Sequence, residues 1–224
     1  EKRIHQLESG ESAIYEEGVE IVLRRNLDAG RLHFSLDIES AVRGSEVVFI
    51  AVGTPSHDDG KADLSQVIDV TEALVRYLDA YTVIVIESTV PVGTVELVKS
   101  ILCRDKREGE EFDIVANPEF LREGQGLNDF FYPDRIVVGA CSERARDVMR
   151  SLYKPIVTRQ VSWPEDGPRT TMTSPIPVVE TDLGSAQMIK YGSNAFLATR
   201  ISFINEIAGL CEKVGADARE VARG

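Results

Sequence analysis

The sequence predicts an α/β fold: a parallel sheet with flanking helices, followed by a long, mostly helical segment. Three observations carry this. Apolar runs rich in β-branched residues, "EVVFIAVG", "TVIVIEST", "FDIVANP" and "RIVVGA", alternate with helical patterns. The runs are continuous rather than alternating, which suits strands buried on both faces. Near the end, residues 180–216 run without a proline, longer than an ordinary globular helix.

The elements follow in order. "EKRIHQLESG" opens the chain with a charged helical pattern, and "GVEIVLRRNLDAG" (18–30) has helical spacing with a glycine stop. "RLHFSL" alternates polar and apolar and predicts a short strand. "DIESAVRG" reads as a helix capped by Asp37 and stopped by Gly44. "LSQVIDVTEALVRYLDA" is a helix, and "PVGTVELVKSILCR" is another with Pro91 near its first turn. "SERARDVMRSLYKPI" is a helix with Ser142 as its cap. "TRQVSWPEDGPRTTMTSPIP" (158–177), rich in Pro, Thr and Ser, reads as an irregular connection of unusual length.

Composition narrows the function. The 224 residues are 43% hydrophobic and 28% charged, which fits a folded domain or one domain plus part of another. No apolar run approaches the ~20 residues of a membrane helix, and the opening stretch has no secretory pattern. The net charge is −12 with no basic stripe, so a nucleic-acid partner is not expected. Cys103, Cys141 and Cys211 form no C-x-x-C pair and read as reduced thiols of a cytoplasmic protein. His5, His33 and His57 lack metal-ligand spacing. The chain opens on Glu1 rather than methionine and is expected to be part of a longer protein.

In a parallel sheet, ligands sit beyond the carboxyl ends of the strands. Gly53-Thr54-Pro55, Ser88-Thr89 and Asn117-Pro118-Glu119 are all strand-end sequences, expected to converge on one crevice. Gly53 lets backbone approach a ligand, or marks an ordinary turn. Ser88 and Thr89 suit a phosphate or an ordered water, or else cap the next helix. Glu119 and Glu123 share a face if the turn after Pro118 is helical; one then has its pKa raised and serves as a base. The alternative is a solvated Glu/Arg turn. Lys190 and Asn194, also four apart, suit an oxyanion site, unless Lys190 snorkels and Asn194 faces water. No G-x-G-x-x-G occurs in these 224 residues.

Five blocks carry a resemblance over nearly the whole chain: "VVFIAVGTPSHDDGKADLSQV", "ESTVPVGT", "ANPEFLREG", "YPDRIVVG" and "SAQMIKYGSNAFLATRISFINEIAGLCEKVGAD". The chain resembles the nucleotide-sugar dehydrogenase family, and within it the members acting on UDP-glucose. The resemblance implies a Rossmann-like NAD-binding domain, truncated at its start, over residues 1–176. Residues 177–224 would be a central helix, carrying a homodimer contact and leading to a UDP-sugar domain. It implies oxidation of a sugar C6 hydroxyl to a carboxylate in two NAD-linked steps through a cysteine thioester. The cofactor would meet Arg3, Gly53, Thr54, Pro55, Ser88, Thr89 and Glu123. The sugar would meet Glu119, Phe120, Leu121, Arg122, Glu123, Lys190 and Asn194.

The same resemblance gives the catalytic roles. Thr89 positions water, Glu119 is the base of thioester hydrolysis, Glu123 lies near the nicotinamide, and Lys190 and Asn194 hold the oxyanion. The family's glycine-rich loop and catalytic cysteine motif are not in this sequence, so the chain alone is expected not to complete catalysis. Glu17 and Gln187 stand where the family usually has proline and glutamate. Two alternatives remain: a dehydrogenase of GDP-mannose or a UDP-N-acetylaminosugar, and a non-catalytic nucleotide-sugar-binding paralogue.

Overall fold

A computed structural model describes residues 2–161 and 174–224. Most of the connection expected at 158–177 lies outside the described residues. The chain divides into two units, Glu1–Gln187 and Met188–Gly224.

The first unit is built on five strands in the order β1-β2-β3-β4-β5: Val47–Ile50, Thr82–Ile86, Phe112–Ala116, Ile136–Ala140 and Val178–Thr181. β1, β2 and β3 are parallel neighbours, with Phe49 beside Val85 and Val85 beside Val115. Their connections carry α4 (Ser65–Tyr77) and α5 (Thr94–Leu102). α1 (Lys2–Glu8), α2 (Val19–Asp28) and α3 (Ile38–Val42) precede the sheet. The Asp37 carboxylate accepts from the N–H groups of Glu39 and Ser40 and starts α3 as expected. α6 (Gly126–Phe131) and α7 (Glu143–Val157) flank β4, and the Ser142 hydroxyl caps α7 by accepting from Ala145 N.

The core follows from the pleat. Alternate residues Val83, Val85, Val115 and Val138 face α7 and pack with Ala145 and Met149. The intervening residues face the other way, and α5 packs against β3 with Val95, Val98 and Leu102 buried. β2, β3 and β4 are buried at every position, as continuous apolar runs predict. Gly139 in β4 is forced by packing. A Cβ there would stand 2.5 Å from the Ala186 Cβ and 2.7 Å from the Asp182 oxygen.

Four features differ from the sequence reading. "RLHFSL" forms no strand; Leu32 and Phe34 are half-buried in alternation, but no ladder partner is present. Alternation sets which face is apolar, whereas a strand also needs a neighbour's N–H and C=O groups. β1 lies at the edge of the described sheet, so Phe49 is 37% exposed rather than buried on both faces. The sheet is mixed rather than wholly parallel: β4 runs antiparallel to β3, pairing Val115 with Ala140 and Ala116 with Gly139. The Asn117 Nδ2 donates to Val137 O at 2.7 Å, which pins the start of β4 beside the end of β3. Finally, "VVET" (178–181) forms β5 parallel to β4, a strand not expected from the sequence.

α8 (Leu183–Val214) starts in the first unit and supplies most of the second, as the proline-free stretch predicts. α9 (Ala218–Arg223) follows, capped by the Asp217 carboxylate. Phe196, Leu197, Ile201, Phe203 and Leu210 are exposed on α8. Among the described residues, no helix is long and apolar enough to cross a membrane.

Candidate active site

The carboxyl ends of β1, β2 and β3 lie side by side, and side-chain hydrogen bonds join the first two. The Ser88 hydroxyl reaches Val52 O at 2.7 Å, and the Thr54 hydroxyl donates to Thr89 O at 2.8 Å. The N–H groups of Glu87 and Ser88 both donate to Ile50 O. Gly53, Thr54 and Pro55 are thus brought beside Ser88 and Thr89. The capping alternative fails for Ser88 and Thr89: α5 begins at Gly93, in the left-handed region with φ 101°, and has no side-chain cap. The glycine meets that φ without strain, and the Thr94 N–H donates to Pro91 O at 3.1 Å.

Beyond β3 the chain is not helical until α6. The helical turn that would put Glu119 and Glu123 on one face therefore does not form. Local competition explains this. The Glu119 carboxylate accepts from Leu121 N at 2.6 Å. Arg122 is drawn to Asp129, with its backbone N at 2.9 Å and its guanidinium at 2.6 Å. The carboxylate of Glu16, far away in sequence, accepts from the N–H groups of Gly124 and Gly126 at 2.7 and 2.9 Å. Phe120 is half-buried under the Arg135 guanidinium, 4.2 Å from the ring centre. Leu121, Arg122 and Glu123 are exposed. The Arg122 guanidinium holds the Asp129 carboxyl below the usual carboxylate range.

Two residues at these strand ends were not singled out in the sequence. Glu87, directly before Ser88, is half-buried. Burial first, and Glu119 second, hold its carboxyl above the usual range. Tyr153 of α7 donates to Asn117 Oδ1 at 2.5 Å, and its hydroxyl is pushed up to about 12 by burial and by Glu87. The signal for Glu87 was available: it takes the next α7-facing step after Val83 and Val85.

Gln187 donates through Nε2 to Pro91 O at 3.2 Å, while its Oε1 is buried without a partner among the described residues. An unmet buried acceptor costs about 1–3 kcal/mol. This acceptor fits a donor group of a dinucleotide at the strand ends. The glycine-rich phosphate loop is not among these residues, so the fit is to part of such a cofactor. Arg3 is exposed on α1.

Lys190 and Asn194 lie in the second unit, one turn apart on α8. Lys190 is only 7% exposed, which removes the snorkelling alternative, whereas Asn194 is exposed. Cys103 ends α5, which carries the chain back to the amino ends of the parallel strands. Cys141 follows the antiparallel β4, whose last residue, Ala140, pairs with Val115 of β3. Cys211 is buried on α8.

Residues 1–157 match the NAD binding domain of the UDP-glucose/GDP-mannose dehydrogenase family, and residues 184–224 match its central domain. The chain belongs to the UDP-glucose/GDP-mannose dehydrogenase family. Its relatives include the UDP-glucose 6-dehydrogenase YwqF of Bacillus subtilis, 41% identical over 99% of this chain and 46% of that protein. The UDP-glucose 6-dehydrogenase of Rhizobium meliloti is 44% identical over 100% of this chain and 48% of its own length. Among solved structures, a UDP-glucose dehydrogenase from Pyrobaculum islandicum superposes with a TM-score of 0.85 at 38% identity, covering 98% of this chain and 48% of its own. A GDP-mannose dehydrogenase from Pseudomonas aeruginosa gives a TM-score of 0.86 at 32% identity, covering 99% and 48%. The chain therefore spans just under half the length of these relatives. The family assignment accounts for the crevice at β1 and β2 as part of an NAD-binding domain.

Proposed function

We propose that this chain is the NAD-binding and central-helix portion of an NAD-dependent UDP-glucose 6-dehydrogenase. Residues 1–176 form the partial Rossmann-like domain, and residues 177–224 form the helical segment leading to a UDP-sugar domain. The single observation that carries the reading is the hydrogen-bonded pair of strand ends at β1 and β2 in a domain that matches the family's NAD binding domain. NAD accepts hydride from the sugar C6 in each of two steps. Gly53, Thr54, Pro55, Ser88, Thr89 and Glu123 are the candidate cofactor contacts, with Arg3 at the adenosine end. Glu119 to Glu123 line the sugar, Lys190 and Asn194 stabilise an oxyanion, and Thr89 and Glu119 position and deprotonate water. The protein is cytoplasmic and has no nucleic-acid or membrane partner.

The test is NADH formation by the full-length protein with UDP-glucose, GDP-mannose and UDP-N-acetylaminosugars in parallel. UDP-glucose is expected to be turned over fastest. Preference for GDP-mannose would replace this reading with the runner-up, for which the 0.86 TM-score is the supporting observation. No turnover of any sugar would leave a binding paralogue. The 224-residue chain by itself is expected to form no NADH, because the family's glycine-rich loop and catalytic cysteine motif are not among these residues. Substantial turnover by the chain alone would overturn the expectation that it is incomplete.

A homodimer through α8 belongs to the same proposal. Phe196, Phe203 and Val214 are each about two-thirds exposed, an apolar surface that a second copy would cover. Sedimentation of the full-length protein is expected to give a dimer; a monomer at micromolar concentration would refute it.

A further inference from the structure

Between β3 and α6 the chain forms a turn bonded to α6. Gln125 N donates to Arg122 O at 2.9 Å, and the Arg122 backbone N and guanidinium both reach Asp129. Gly124, with φ 75°, turns the chain between these bonds. Two amides of this turn meet a single carboxylate from elsewhere in the first unit. Gly124 N donates to Glu16 Oε1 at 2.7 Å, and Gly126 N donates to Glu16 Oε2 at 2.9 Å. Nearby N–H groups around a left-handed residue make a concavity that suits an anion. Gln125 gives α6 no side-chain cap, so Glu16 caps that helix from outside.

Glu16 is itself held in place. Its carbonyl accepts from Val19 N, in the first turn of α2, at 3.2 Å. The residues before it are tied to both neighbouring helices: Gln6 of α1 donates to Ser12 O at 2.9 Å, and Ser12 N donates to Glu20 of α2 at 3.3 Å. A hydrogen bond to an ionised acceptor is roughly twice as strong as one to a neutral acceptor. Two of them to one half-buried carboxylate fix both the place and the direction of the turn.

We propose that Glu16 is a positioning residue for the nucleotide sugar, its carboxylate holding residues 119–126 in the arrangement that the sugar binds. This rests on the reading of Glu119 to Glu123 as the sugar-lining segment. Glu16 touches neither sugar nor cofactor in this scheme and acts through populations. Without the carboxylate, the binding arrangement is one among several, and the apparent affinity falls by the fraction of molecules that hold it. Saturating sugar restores that arrangement, so KM rises while kcat stays near the wild-type value.

The test uses the full-length protein with UDP-glucose. Glu16→Ala is expected to raise the KM for the sugar by about tenfold or more, the cost of one or two charge-assisted hydrogen bonds. The kcat and the KM for NAD are expected to stay within about twofold. Glu16→Gln keeps one carbonyl acceptor and is expected to fall between Ala and wild type; it decides the matter if Glu16→Ala does not fold. Amide exchange read by mass spectrometry is expected to quicken over residues 119–131 in Glu16→Ala, with β2 and β3 unchanged. Unchanged exchange over 119–131 overturns the clamp. An unmoved KM for the sugar, or an equal rise in the KM for NAD, overturns the positioning role. The wild type tests the underlying reading separately, since UDP-glucose is expected to slow exchange over residues 119–126. No such protection removes this segment from the sugar site and the proposal with it. Protection in the wild type with an unmoved KM in Glu16→Ala overturns the proposal alone.

Discussion

Lys190→Ala is expected to lower turnover of the full-length enzyme by about 10²-fold or more, the cost of losing one preorganised oxyanion donor. The physical case is burial. At 7% exposed, the Lys190 ammonium acts through protein rather than water, and a charge there interacts strongly with one that develops nearby. Asn194, one turn on, adds an amide donor on the same face of α8. Lys190→Arg is not expected to restore the rate, because a planar fork does not replace a compact ammonium. Steady-state NADH kinetics measure both variants, and circular dichroism melting separates lost catalysis from a loosened helix. A rate within a few-fold of wild type would reduce Lys190 to a packing role.

Glu119→Gln is expected to stall the second half of the reaction. In the proposed hydrolysis, the water oxygen bonds to the acyl carbon, its proton passes to Glu119, and the cysteine leaves as thiolate. Glutamine keeps the shape and loses the base, so the acyl-enzyme should accumulate. Intact-mass measurement after mixing with UDP-glucose and NAD would show a covalent adduct, and NADH should appear as a burst followed by a slow phase. Absence of the adduct, with steady turnover, would remove Glu119 from this role.

What was legible in the sequence follows from which forces are local. β2, β3 and β4 announce themselves because a strand buried on both faces must be apolar at every position. The caps Asp37 and Ser142 were readable because capping is a contact within three residues. β5 was not, because four half-exposed residues at a sheet edge leave little apolar pattern. The direction of β4 was not, because it depends on the Asn117 amide reaching Val137. In the site, the Glu119/Glu123 spacing misled because four residues make one face only in a helix. Glu87 was overlooked beside the hydroxyls of Ser88 and Thr89, although the alternation of β2 already assigned it to the α7 side.

The Glu16 carboxylate, which holds the amides of Gly124 and Gly126, also has a kinetic meaning. The bonds join positions more than a hundred residues apart. Closing so long a loop costs chain entropy that is repaid only after the intervening strands have assembled. The segment that would surround the sugar therefore takes its shape late in folding. Because so much of its order depends on an exposed loop around Glu16, it is also the part of the first unit most ready to open without unfolding the sheet beneath it.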